Sequence, residues 1–142
     1  MGTLIRGNSD VRELVTETLE ETTWSRILNV LVEFLDAKNV EKVRVEFGYI
    51  LDRDLAGKQP ASAEIVRLKD LERFIRTGLD EGTIEWGRSS DFRFYPLGTE
   101  LAFMLCNDAD LHFASADSAL LAEFAQTLRS SGVKVYDSGR PT

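Results

Sequence analysis

The sequence predicts a single α+β domain, a largely antiparallel sheet of about 6–7 strands with helices packed mainly on one face. Three observations point there. Strand-like segments cluster, and most consecutive ones are joined by short polar turns, which antiparallel strands need and parallel strands cannot use. Three segments carry apolar residues at helical spacing. The chain has 142 residues, 43% hydrophobic and 29% charged, enough to bury one core in one domain.

The elements are predicted in the order α-α-β-β-α-β-β-β-β-α-β. Residues 1–9 read as a flexible lead, 10–137 as the domain and 138–142 as a polar tail. Asp10 is a helix cap by type, and Val11, Leu14, Val15, Thr18 and Leu19 recur at helical spacing. The stripe falters at 20–23 and resumes with Trp24, Ile27, Leu28, Leu31, Phe34 and Leu35. A straight helix over 10–37 would be about 42 Å long. A domain of this size is only about 37–38 Å wide. A break or bend is therefore expected near 21–24.

Val43, Val45, Phe47, Tyr49 and Leu51 alternate with other residues as in a half-buried strand. Residues 52–62 read as a loop, and 64–68 as a returning strand. Residues 70–81 read as a helix with Leu71, Phe74, Ile75 and Leu79 inward, stopped by Gly82. Strands are expected at 83–86, 91–95, 100–106 and 110–115. Asp117 caps a last helix carrying Leu120, Leu121, Phe124, Ala125 and Leu128, Gly132 ends it, and 133–136 forms a final strand.

Hairpin register divides the sheet into two faces. A two-residue turn at Leu97-Gly98 would set Phe94 opposite Leu101 and Phe92 opposite Phe103. A three-residue loop, Asn107-Asp108-Ala109, sets Leu105 opposite Leu111 and Met104 opposite His112. That register is preferred because a one-residue slip would turn Leu111 and Phe113 away from the other apolar side chains. The second face then holds Asp91, Arg93, Tyr95, Ala102, Met104, Cys106, Asp110 and His112. Arg44 and Glu46 extend it from the earlier strand, and Trp86 is a further candidate.

Composition excludes several function classes. One histidine and one cysteine exclude an intrachain disulfide, a zinc finger, a zinc ribbon, HExxH and a CxxC redox pair. A net charge of −7 disfavours nucleic acid and anionic lipid as partners. No apolar run is long enough to span a bilayer, and neither a secretory signal nor a myristoylation motif stands at residues 1–10, so a cytoplasmic location is expected.

No catalytic set, metal site or cofactor is predicted. Asp110 and His112, two apart on one strand, project in parallel, and Cys106 reads as a small buried hydrophobe. Asn107, Asp108, Asp110 and Asp117 lack the EF-hand spacing and read as turn and cap residues. Gly87-Arg88-Ser89-Ser90 precedes a strand, not a helix, and reads as a hairpin loop. Glu13, Glu17, Glu20 and Glu21 form an acidic patch on the first predicted helix.

Charge and the missing motifs favour a protein-interaction module, such as a bacterial immunity or antitoxin-type inhibitor of a basic protein partner. The first alternative is a small-molecule-binding protein or enzyme using the mixed face around Arg93, Tyr95, Met104, Cys106 and His112. The second is a homo-oligomer with that face buried.

Overall fold

The computed structural model describes residues 11–47, 62–81, 92–105 and 109–137. Among these residues, seven strands form one antiparallel sheet. They are β1 (Arg12–Thr16), β2 (Lys42–Phe47), β3 (Ser62–Arg67), β4 (Phe92–Pro96), β5 (Ala102–Leu105), β6 (Leu111–Ser115) and β7 (Val135–Asp137). Their spatial order is β3-β2-β4-β5-β6-β1-β7. Three helices, α1 (Glu21–Ala37), α2 (Leu71–Glu81) and α3 (Ser118–Ser130), pack on one face.

The first expected helix is a strand. Val11–Leu19 satisfies two periods at once, and its Val and Thr residues favour extended backbone. Tertiary pairing decides between them: β1 lies between β6 and β7 and hydrogen-bonds to both. Leu14 and Thr16 face the helices, and Glu13 and Val15 face the other way. The Thr16 hydroxyl accepts the Leu111 N–H at 3.0 Å and donates to the Glu17 carbonyl at 2.8 Å, closing the strand's end. The faltering at 20–23 is thus a strand-to-helix junction, not a bend. The strand expected at 83–86 and the stop at Gly82 lie outside the described residues.

Both long helices end by the same device. After α1, the Val40 N–H reaches the Leu35 carbonyl at 3.1 Å and the Asn39 N–H reaches that of Asp36 at 3.0 Å. Asn39 takes the left-handed backbone, φ 63°, that this exit requires. After α3 the same pair of bonds joins Val133 to Leu128 and Gly132 to Arg129, with Gly132 at φ 89°. Buried Val40 and Val133 anchor the two exits. Asp117 caps α3 by accepting the Leu120 N–H at 3.1 Å, as its position predicts.

The core joins the α1 stripe from Trp24 to Leu35 to Val43 and Val45 of β2, Phe92 and Phe94 of β4, Phe103 of β5 and Phe113 of β6. Phe124 of α3 stands edge-on to Phe34, Phe103 and Phe113, with ring centroids 5.0, 5.3 and 4.9 Å away. The contact series continues through Phe94, Phe92 and Phe74 into α2. At the margin, Arg76 of α2 lies over the Trp24 ring at 5.7 Å and bonds both Glu72 and Ser25, locking α2 to α1.

Two hairpins test the register. Met104 lies opposite His112 and Leu105 opposite Leu111, as expected. Ala109 has φ 62°, the left-handed third residue of a three-residue loop. The β4–β5 turn is longer than expected. Phe94 pairs with Phe103 and Phe92 with Leu105, which leaves residues 97–100 as the turn. Gly98 at φ 87° and the Thr99 hydroxyl, which accepts the Leu101 N–H at 3.2 Å, stabilise it. The shift is two residues, so no side chain changes face.

Replacing Phe124 by Ala should cost about 3–5 kcal/mol by removing a buried ring with three aromatic neighbours. Urea unfolding read by tryptophan fluorescence checks this. Replacing it by Leu should recover part of that loss, because volume is partly conserved.

Candidate functional site

The second sheet face is organised by one cross-strand row. Glu46 of β2 lies opposite Arg93 of β4, Arg93 opposite Met104 of β5, Met104 opposite His112 of β6, and His112 opposite Val15 of β1. A parallel row sets Arg44 opposite Tyr95. The predicted candidates Arg44, Glu46, Arg93, Tyr95, Met104, Asp110 and His112 therefore share this side of the sheet. Cys106 and Trp86 lie outside the described residues.

The centre of this face is packed, contrary to the expectation of a non-core surface. Ala102, Met104 and Ala114 form a small apolar cluster flanked by Val11 and Tyr95. Met104 and His112 are both 0% exposed. Among the described residues no helix lies over them. His112 Nδ1 is 2.7 Å from Glu13 Oε2, and its Nε2 is 3.1 Å from Asp110 Oδ1. Only the Glu13 contact has hydrogen-bond geometry; the 3.1 Å approach of Nε2 to Asp110 does not. Both carboxylates are nearly closed to solvent, and the Glu13–His112 hydrogen bond ties β1 to β6.

Toward β2 the face opens. Arg44 Nε bonds Glu46 Oε2 at 3.1 Å. The Tyr95 phenol is raised above its usual ionisation range, first by burial and then by the charge of Glu46. A hydrogen bond from Arg93 and the charges of Arg93 and Arg44 act in the opposite direction.

The acidic patch does not form a helix face. Glu13 turns to His112 from β1, and the Glu17 carboxylate accepts the Lys134 N–H at 3.0 Å. Glu20 precedes α1 and Glu21 opens it. Once β1 is a strand, these four residues no longer share a face.

A second candidate was not evident from the sequence. Between β3 and α2 lies a groove of about 620 Å³, lined by Glu64, Ile65, Val66 and Arg67 of β3, by Asp70, and by α2. Arg73, Thr77 and Glu81 make one helix stripe there, with Phe74 and Gly78 beside it. Asp70 bonds Arg73 at 3.0 Å and lies 3.6 Å from Arg67. Ile65 is 52% exposed. The sequence signal was parity: Glu64 shares the inward face with Val66, and Ile65 faces out.

Among the described residues, no group of three His, Cys, Asp or Glu side chains is placed to hold a metal ion, and no helix is long and apolar enough to cross a membrane. Comparison of the chain with family models, curated proteins and solved structures returned no match.

His112→Ala should destabilise the protein by about 1–3 kcal/mol, because it removes the hydrogen-bond partner that His112 gives the enclosed Glu13 carboxylate. A double-mutant cycle with Glu13→Ala should give a coupling of about 1–3 kcal/mol in denaturant unfolding. Tyr95 predicts an alkaline effect. Its native ionisation lies above the unfolded value of 10.0, so the native state holds its proton longer. Stability from this group is complete below pH 10 and is lost as pH rises through the native value. Tyr95→Phe should flatten the fall in stability that begins above about pH 10, measured by urea titration.

Proposed function

We propose that the protein is a protein-interaction module that takes a basic partner along the β3–α2 groove. The carrying observation is the contrast between the two candidate surfaces. His112 and Met104, central to the mixed face, are closed to solvent, whereas the groove is open and rimmed by charge. A ligand reaching Arg93, Tyr95 and His112 together would first have to part a packed cluster. The groove needs no such rearrangement.

The net charge of −7 supports the same reading at long range. It draws a cationic partner in and speeds encounter, and the groove supplies the short-range contacts. Steric blocking of a basic partner, as an immunity or antitoxin-type inhibitor acts, is one mechanism within this class.

Selection of a random-peptide display library on the immobilised chain tests the reading. Binders should emerge whose capture weakens with added salt. Thr77→Trp, which fills the groove from an exposed helix position, should abolish capture. Tyr136→Lys, on the opposite sheet edge, should leave it intact. An absence of binders, or binders indifferent to Thr77→Trp, would refute the proposal.

A further inference from the structure

We propose that the β3–α2 groove takes an extended peptide as an added strand, antiparallel to β3, with its acidic end against Arg67 and Arg73 and its basic end against Glu64 and Glu81. The inference rests on the protein-interaction reading and specifies the ligand of the same groove.

The backbone supplies the first part of the argument. Among the described residues β3 ends the sheet, and its outer edge offers N–H and C=O groups to a further strand. Every pairing in the sheet is antiparallel, and an added antiparallel strand continues that pattern. α2 walls the edge on the helix side, which gives the added strand a floor of the Val66 and Phe74 side chains and the Gly78 backbone. Ile65, 52% exposed on the other face, supplies an apolar cross-strand neighbour there.

Charge supplies the second part. The chain turns back at residues 68–70, so β3 and α2 both have one end at this turn and one end far from it. At the turn stand Arg67 and Arg73, 65% and 78% exposed, sharing the single carboxylate of Asp70. Far from it stand Glu64 and Glu81, neither of which makes an ion pair among the described residues. Glu64 and Arg67 are three strand positions apart, about 10 Å, and start on opposite faces of β3, Arg67 lining the groove through its approach to Asp70. Arg73 and Glu81 are eight helix positions apart, about 12 Å. Two different elements thus present the same polarity over nearly the same length. The α2 dipole adds to it, positive at the turn and negative at Glu81, where the last helix turn holds no base.

An extended peptide spans that length in three to four residues, at about 3.4 Å each. Running antiparallel to β3, it enters at the arginines and leaves at the glutamates. Its sequence therefore reads acidic, apolar, basic from N to C. Glu64, an inward charge on an edge strand, repels strands that bring no cation to it, so the same residue protects the edge and selects the partner.

The test uses the full chain and three fluorescent peptides, read by anisotropy at low salt. The first is Ser-Asp-Val-Thr-Val-Lys-Ser. The second exchanges its Asp and Lys. The third is the first with the backbone amides facing β3 N-methylated. The first should bind, the second should bind about five- to tenfold more weakly, and the third should not bind. Arg67→Glu with Arg73→Glu should weaken the first peptide, and a peptide with Lys in place of its Asp should restore binding to that variant. Failure of the first peptide, equal binding of both charge orders, or indifference to N-methylation overturns strand addition. If Thr77→Trp still abolishes capture of library-selected binders in those cases, the interaction reading survives alone. A dimer in sedimentation that Ile65→Lys dissolves would assign the edge to a second copy of this chain and overturn the peptide proposal.

Discussion

Phe124 of α3 meets the sheet where three other phenylalanine rings converge, one from α1, one from β5 and one from β6. Edge-to-face packing at about 5 Å fixes ring angles as well as distances, so this cluster sets how α1 and α3 lie on the sheet. The series runs on through Phe103, Phe94 and Phe92 to Phe74, so α2 is placed by the same contacts. The groove between β3 and α2 depends on it. If Phe74 shifted against Phe92, the Arg73–Thr77–Glu81 stripe would no longer stand beside the sheet's end strand.

The other face is held by different chemistry. Among the described residues, Ala102, Met104 and Ala114 are the apolar cluster buried there, and the Glu13–His112 hydrogen bond links β1 to β6. A buried polar contact of this kind adds little net stability, because desolvation offsets most of the attraction. Its effect is on pairing. A slip of β1 against β6 by one residue would move Glu13 off the face that carries His112. The single histidine thus serves the register of a strand that the chain contributes from its beginning.

Much of the fold was legible because its signals are local. Alternation along 43–47, 92–95 and 111–115 identified strands, and the α1 and α3 stripes identified helices. Asp117 and Gly132 marked the ends of α3 through backbone needs that few residue types meet. The three-residue loop before β6 followed from requiring Leu111 and Phe113 to face inward, and Ala109 carries the left-handed backbone it needs. The β4–β5 turn was misjudged because the parity argument cannot distinguish registers two residues apart. Asn39 gave no comparable signal, although it ends α1 as Gly132 ends α3.

What the sequence determined by itself is the α+β class, the side of the sheet on which His112, Met104, Arg93 and Tyr95 fall, and the zinc-finger, HExxH and CxxC motifs that one histidine and one cysteine exclude. These follow from side-chain period and composition, which are properties of neighbouring residues. Only the tertiary structure decided that Arg12–Thr16 is a strand, that Glu13 faces His112, and that Glu64, Arg67, Arg73 and Glu81 line one groove. Each of these joins segments distant in sequence or fixes how neighbouring elements fold back on one another. The pairing of β1 with β6 supplies hydrogen bonds that no pattern within residues 11–19 can register.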